Sequence, residues 1–336
     1  MAKLSDVAAR AGVSVSAVSR VLSGDPSARL SAATRERVRQ AAAEVGYHPN
    51  FAGRALKLAR TDVIALIVPD VTNSLFAELT RGVEDEAVAQ GCVMLLARTE
   101  DMHPGGRMFD RLVGEGRVDG IVLQPRDGAD PEELAQSVGE RAPLVTIHQK
   151  IPGASSVVAP DALAARRATE HLLALGHRRI GFAGGLAASP TAQRRADGFL
   201  KALLEAGLPG EPGLVTWRGY READGRASAA ELLALPEPPT AIVAANVNAA
   251  VGVLAQARAQ GVAVPGELSV VAIHDAWTAE HTWPPLTCVR MPLYELGRTA
   301  AAALAEVIAG GPVTHRSVEE PGPVLVPRAS TAPPRG

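Results

Sequence analysis

Residues 12–24 read "GVSVSAVSRVLSG", and within them Ser14, Val15, Ser16, Ser19 and Arg20 are the side chains able to make contacts outside the chain. At helical spacing Val18, Val21 and Leu22 share one face, which leaves Val15, Ser16, Ser19 and Arg20 outward. A guanidinium so placed can donate two N–H bonds to O6 and N7 of a guanine, and a valine can pack on a thymine methyl group. Serine hydroxyls suit phosphate oxygens, which hold register without reading sequence. Val15 and Ser16 would then meet base edges beside Arg20, with Ser14 and Ser19 at phosphates. The competing reading is the solvated face of a small helical hairpin, since patterns of this kind are loose.

A second set of polar groups follows short apolar runs further along: Asp70, Asn73 and Phe76, then Gln124 and Arg126, His148, Arg195, Tyr220, Asn246, and His274 with Asp275. In an open parallel sheet, ligands bind outside the carboxyl ends of the strands, where such residues stand. His148, His274 and several carboxylates could converge for catalysis. No nucleophile elbow, metal-spaced histidine pair or kinase-type loop accompanies them, so the chain is not expected to be an enzyme. "GFAGG" lacks the spacing of a phosphate-binding loop, and no cofactor or metal is expected. His171 and His177, on a helix and at its end, are read as structural.

The elements that must position these residues are legible in outline. "SDVAARAG" reads as a helix capped by Ser5 and ended by Gly12; Ser14 caps the second helix; "SAATRERVRQAAAEVG" makes a third, capped by Ser31, with Arg35, Arg37 and Arg39 outward. Two short helices joined by a tight turn can set the second in a major groove. "YHPNFAGRALKLART" follows as a linker with a weak amphipathic pattern. From Asp62 onward apolar runs alternate with helical segments: "VIALIVPD", "CVMLLART", "VDGIVLQP" and "PLVTIHQ", and then, after "SSVVAPD", "RRIGFAGG", "GLVTW", "TAIVAAN" and "LSVVAIHD". Such alternation predicts parallel sheets with crossover helices, here in two successive lobes. "GPVLVPR" reads as a last strand, and the tail "ASTAPPRG" carries no heptad for a terminal coiled coil.

Totals narrow the class. The 336 residues are 47% hydrophobic, enough for a large domain and a small appendage. The net charge of −2 conceals an asymmetry: residues 1–60 hold ten Lys/Arg against four Asp/Glu, and the remainder 24 against 32. A basic head precedes an acidic body, as a polyanion-binding end would require. Two well-separated cysteines, Cys92 and Cys288, read as buried thiols in a reducing compartment. The N-terminus lacks the apolar segment of a signal peptide and no run is long enough to span a bilayer, so a cytoplasmic location with no membrane partner is expected.

The chain resembles the LacI/GalR family of transcriptional repressors. The likeness rests on "LSDVAARAGVSVSAVSRVLSG", "SAATRERVRQAAAEVGYHPN" and "RALK", and in the body on "RVDGIVL", "HLLALGHRRIGFAGG", "RRADGFL", "PTAIVAAN" and "PPLTCVRMPLYELGRTAA", all in the family's order. It implies an all-α helix-turn-helix head over 1–48, a hinge helix over 49–60, and a body over 61–330 made of two parallel-sheet lobes, periplasmic-binding-protein-like. The N-lobe would span about 61–158 with a return near 291–315, and the C-lobe about 159–290 with a final strand near 322–329. It further implies a homodimer on double-stranded, pseudo-palindromic operator DNA. Leu56 would wedge into the minor groove with Lys57 beside it, and a small-molecule effector would sit in the interlobe cleft. Asn73, Phe76, Arg195, Tyr220 and Asn246 fall at positions where the family contacts ligand.

Departures from the family pattern occur at Gly53 in the hinge, where a helix-interior glycine costs about 1 kcal/mol, and in "IHQK", "NVN" and "AIHDAW". The last three replace acids that suit sugar hydroxyls. With Arg195, His148 and His274 together, an acidic or phosphorylated effector, or an unusual carbohydrate, is expected in place of a plain neutral sugar. Two other classes stay open at this stage: a solute-binding module and an α/β enzyme using the same cleft.

Overall fold

The computed structural model of the chain describes residues 2–23, 28–48, 60–71, 73, 75–101, 106–127, 130, 133, 135–139 and 141–335. They form two compact units, Met1–Asp62 and Val63–Gly336.

The first unit is helical. Helix α1 (Leu4–Ala11) starts at Lys3, whose backbone N–H donates to the Asp6 carboxylate at 2.9 Å, so Asp6 and not Ser5 satisfies the helix start. Gly12 ends it at φ +63°, a left-handed conformation that glycine adopts without strain. Helix α2 (Val15–Leu22) is capped by Ser14, whose hydroxyl accepts from the Ala17 N–H at 3.2 Å. Helix α3 (Ala32–Glu44) is capped in the same way by Ser31. Val7, Ala11, Val18, Val21, Val38, Ala41 and Ala42 close a small core. Arg37 ties α3 to α1 by donating to the Ala11 carbonyl at 3.0 Å, and Arg35 donates to that of Ala28 at 2.7 Å.

The second unit holds two six-stranded sheets with helices on their faces. The first contains β1 (Val63–Val68), β2 (Val93–Arg98), β3 (Gly120–Leu123), β4 (Leu144–Ile147), β5 (Ser155–Val158) and β11 (His315–Ser317), in the order β11-β5-β4-β3-β1-β2. The second contains β6 (Ile180–Gly184), β7 (Val215–Trp217), β8 (Ala241–Ala244), β9 (Ser269–Ile273), β10 (Thr287–Arg290) and β12 (Val324–Val326), in the order β12-β10-β9-β8-β6-β7. The two orders are the same pattern repeated. All pairings are parallel except β10 with β12, because the chain arrives at β12 from the other lobe and runs back along the edge. Strands β1, β3, β4, β6, β8 and β9 are buried along nearly their whole length, as expected for sheets covered on both faces.

Helices α4 (Phe76–Ala89) and α9 (Leu293–Ile308) pack together on the first lobe. Helices α5 (Asp161–Ala174) and α6 (Pro190–Glu205), and α7 (Glu222–Leu233) and α8 (Val247–Ala259), pair on the second. These pairs come close because of glycine: a Cβ on Gly225 would lie 1.9 Å from the Ala249 carbonyl oxygen, and one on Gly252 would lie 1.9 Å from that of Glu222. Between β2 and β3 the described residues hold short helical segments at Thr99–Asp101 and over Arg107–Phe109 and Asp110–Gly114. Among the described residues no helix is long and apolar enough to cross a membrane.

Candidate functional site

The first candidate site is the outward face of α2. Val15, 46% exposed, stands beside exposed Ser16 and Arg20, with half-buried Ser19 one turn on from Val15 and Ser16; Ser14 caps the helix below them. Burial of Val18 and Val21 against α1 and α3 turns this face outward and holds it rigid. Leu56 and Lys57 lie outside the described residues.

The second candidate site is a cleft of about 810 Å³ at the carboxyl ends of the strands of both lobes. Asn73, Phe76, His148, Arg195, Tyr220, Asn246 and His274 all line it, as do Asp70, Gln124 and Arg126. Asp275 does not line it. Its carboxylate turns to Arg290 at 2.7 Å and Arg328 at 2.9 Å, and those two guanidiniums hold its pKa below the ordinary value against the upward pull of burial. The local backbone explains the turn: His274 is left-handed at φ +68°, so the chain reverses between His274 and Asp275.

His148 repeats this conformation at φ +66°, also one residue past a strand, β4 instead of β9. The two histidines occupy equivalent places in the two lobes. Non-glycine residues in this region of backbone space are uncommon, and strain of this kind collects at functional sites. Both imidazoles are neutral. Burial lowers the His148 pKa to about 4 and, with Arg195 adding repulsion, pushes that of His274 well below its usual value.

Asp161, at the first turn of α5, organises the floor. It is buried at 1% exposure, and each of its oxygens takes two N–H bonds from one arginine: Arg195 through Nε at 3.0 Å and Nη2 at 2.8 Å, Arg194 through Nε at 3.1 Å and Nη2 at 2.7 Å. Burial works to raise the Asp161 pKa, but Arg195, His148 and Arg194 outweigh it and hold it at about 2. Arg194 also donates to the His148 carbonyl at 3.2 Å, joining the two lobes. Sequence reading passed over Asp161 and Arg194. The available signals were an aspartate opening a helix after a strand and the doubled arginine in "RRADGF".

The expectation of an anionic effector rested on a positive cluster of Arg195, His148 and His274. Both imidazoles are neutral, and Arg195 shares the single negative charge of Asp161 with Arg194, so His148 and His274 add no positive charge and the Arg194–Arg195–Asp161 cluster keeps one.

Other lining groups have partners of their own. Asn246 caps α8 by accepting from the Ala249 N–H at 2.7 Å. The Tyr220 hydroxyl bonds Ser189 at 3.0 Å, burial raises its pKa to about 12, and its ring sits over Gly185, where a Cβ would lie 2.3 Å away. Burial raises the Asp127 pKa. Asn248 Nδ2 donates to Asn73 Oδ1 at 3.1 Å, a clasp from one lobe to the other across the cleft that sequence reading also passed over. Among the described residues no three His, Cys, Asp or Glu side chains are grouped to hold a metal ion.

Known proteins place these features. Residues 3–50 match the family model described as bacterial regulatory proteins, lacI family, and residues 169–331 match that of a periplasmic binding protein-like domain. The HTH-type transcriptional repressor CytR of Escherichia coli is 32% identical over 320 residues, covering 92% of this chain and 90% of that protein. Among solved structures, a LacI family transcriptional regulator from Mycobacterium smegmatis is 42% identical with a TM-score of 0.75, covering 81% of this chain and 100% of that one. The complex of the transcriptional regulator CelR with cellobiose is 31% identical with a TM-score of 0.68, covering 98% of this chain and 100% of that one. With helix-turn-helix head, two-lobed body and near full-length relatives in agreement, the chain belongs to the LacI family of bacterial transcriptional regulators.

Proposed function

We propose that this regulator is a repressor that binds a pseudo-palindromic operator as a homodimer and is gated by a small-molecule effector in the interlobe cleft. The observation that carries the reading is the exposed face of α2, Val15, Ser16 and Arg20, on a rigid three-helix head in a chain whose body offers a cleft lined from both lobes. Arg20 reads a guanine, Val15 and Ser16 meet neighbouring base edges, and Ser14 and Ser19 hold phosphates. Residues 1–48 act as the DNA-binding domain, 49–60 as a hinge with Leu56 as the wedge and Lys57 at the backbone, and 61–330 as the effector-binding and dimerisation body. The protein works in the cytoplasm and has no catalytic role. The cleft residues assigned to effector are Asn73, Phe76, His148, Arg195, Tyr220, Asn246 and His274; Asp275, paired with Arg290 and Arg328, is not among them.

Selection of bound duplexes from a random pool with the full chain tests the DNA reading. The expected product is a two-fold sequence with half-sites about one helical turn, or a multiple of it, apart, and recovery of no common sequence would refute it. Thermal-shift screening of a metabolite panel, followed by operator binding with each hit, tests the gating.

A further inference from the structure

Leu75 stands one residue before α4 of the first lobe, yet the apolar cluster it joins is that of the second lobe. It is 6% exposed, among Ala183 of β6, Ala229 and Leu232 of α7, and Val247 and Ala250 of α8. Val247, the middle residue of "NVN", is fully buried in that cluster, where an acid would be costly.

A polar contact runs beside the apolar one. Asn73 Oδ1 receives two donors, the Leu75 N–H at 3.1 Å, which ties Asn73 to the start of α4, and Asn248 Nδ2 at 3.1 Å. The backbone donor settles that this atom is the oxygen, so Asn248 presents an amide N–H to it. Asn248 lies on the first turn of α8, whose start is capped by Asn246. Each half of the contact is therefore anchored to a helix of its own lobe. Arg194 adds a second bridge, from α6 to the His148 carbonyl beyond β4.

The crossings between the lobes leave their angle to such contacts. The chain passes from β5 to α5 through Pro160 and from β10 to α9 through Pro292, and the two prolines share one conformation, φ −78° with ψ 60° and 57°. In each the following N–H reaches back across the proline, Asp161 to the Ala159 carbonyl and Leu293 to that of Met291, both at 2.9 Å. These are inverse γ-turns. The ring fixes φ and leaves ψ as the soft rotation, so both crossings can turn until side chains meet across the cleft. Returning a buried leucine to water shifts an equilibrium by about ten- to a hundredfold, and giving up one neutral hydrogen bond shifts it by about tenfold or less. Leu75 thus outweighs the amide pair.

We propose that Leu75, with the Asn73–Asn248 hydrogen bond beside it, is an interlobe latch: the chain's own side chains hold the two lobes together, and no small molecule is needed to bring them there. A molecule in the cleft then acts on lobes already joined, and moves the balance only by binding the latched and released forms unequally. The latch belongs to the body alone, and testing it calls for neither operator nor effector, so its failure would leave the gating proposal standing.

The test is the distance between the lobes in the full chain, read by single-molecule energy transfer between dyes on Asp110→Cys in the first lobe and Lys201→Cys in the second, both exposed sites. Labelled chain is mixed into excess unlabelled chain so that each molecule reports one body, and the native Cys92 and Cys288 are buried away from the dyes. With no small molecule added, the unaltered sequence should give one narrow distance. Leu75→Ala should raise the ratio of released to latched molecules by about tenfold or more. Asn248→Asp sets two acceptors face to face while placing an acid on the first turn of α8, where the helix favours it, so it should loosen the latch and keep the fold. Carried together, the two changes should make a second, longer distance visible. Leu75→Met, which keeps the apolar bulk, should stay latched. A broad distribution in the unaltered chain overturns the inference, and so does a single unchanged distance in the folded double variant. If the variants carrying Leu75→Ala do not fold, Asn248→Asp decides: a distribution identical to that of the unaltered chain overturns the latch.

Discussion

Replacing Asp161 by asparagine removes one charge from the cleft floor and almost no volume. In the folded protein that carboxylate receives four N–H bonds from Arg194 and Arg195, and the Arg195 side chain is only 3% exposed. Arginine stays charged, so the variant buries an uncompensated guanidinium, a loss that costs about 3–5 kcal/mol in buried pairs. For a body of this size each kcal/mol moves the melting temperature by roughly 2 °C, which gives a drop of about 6–10 °C in the body transition by scanning calorimetry. The exposed pair of Arg179 and Glu211 is the control: Glu211→Gln should cost no more than ~1 kcal/mol despite a 2.5 Å contact. The pH dependence has a definite sign. The Asp161 carboxyl is depressed from 3.8 to about 2, so its contribution is complete above pH 3.8 and is lost as pH falls toward 2. The gap between the unaltered protein and Asp161→Asn should close over that window. An Asp161→Asn protein within ~1 kcal/mol of the unaltered chain at neutral pH would refute the claim that Asp161 is what neutralises Arg195.

Other perturbations test separate parts of the molecule. Arg20→Ala should cost about 1–3 kcal/mol in operator binding and relax preference at one position per half-site; equal binding to every operator variant would sink its role. For Leu56→Ala, weaker binding and a smaller DNA bend are expected in a gel-shift bending assay, and a bend equal to that of the unaltered protein argues against a wedge. Gly225→Ala should destabilise by at least ~1–3 kcal/mol through overpacking, since its Cβ would meet the Ala249 carbonyl oxygen at 1.9 Å; an unchanged urea midpoint contradicts that packing. The His148 pKa falls from 6.5 to about 4 on folding, so the unfolded chain takes up a proton that the folded protein refuses. Stability should therefore drop as pH falls from 6.5 toward 4, by roughly 1.4 kcal/mol per pH unit at full slope, and His148→Gln should flatten that slope measurably.

Much of this molecule was legible in one dimension because its organising signals are local. The spacing of Val18 and Val21 set which face of α2 is buried, and hence that Val15, Ser16 and Arg20 are exposed. Runs such as "VIALIV" and "AIVA" marked parallel strands buried on both faces, and their repetition marked two lobes. The rule that ligands gather beyond strand ends then brought seven of eight named cleft residues to one cavity.

The chemistry of that cavity was a matter for the tertiary structure. Arg195 and His148 have the same composition whether they bind an anion or each other's neighbours. What decides is Asp161, 34 residues from Arg195 in sequence, and His274, 79 residues from it. Asp275 was misplaced for the same reason: a left-handed His274 turns it toward Arg290 and Arg328, and no pattern around "AIHDAW" encodes those two partners. Helix and strand periods are written in neighbours along the chain, so the sequence alone determined the head, the lobes and the cleft. Charge state and donor supply depend on Coulomb energy and hydrogen bonds between residues that only folding brings within 3 Å, so they were decided there.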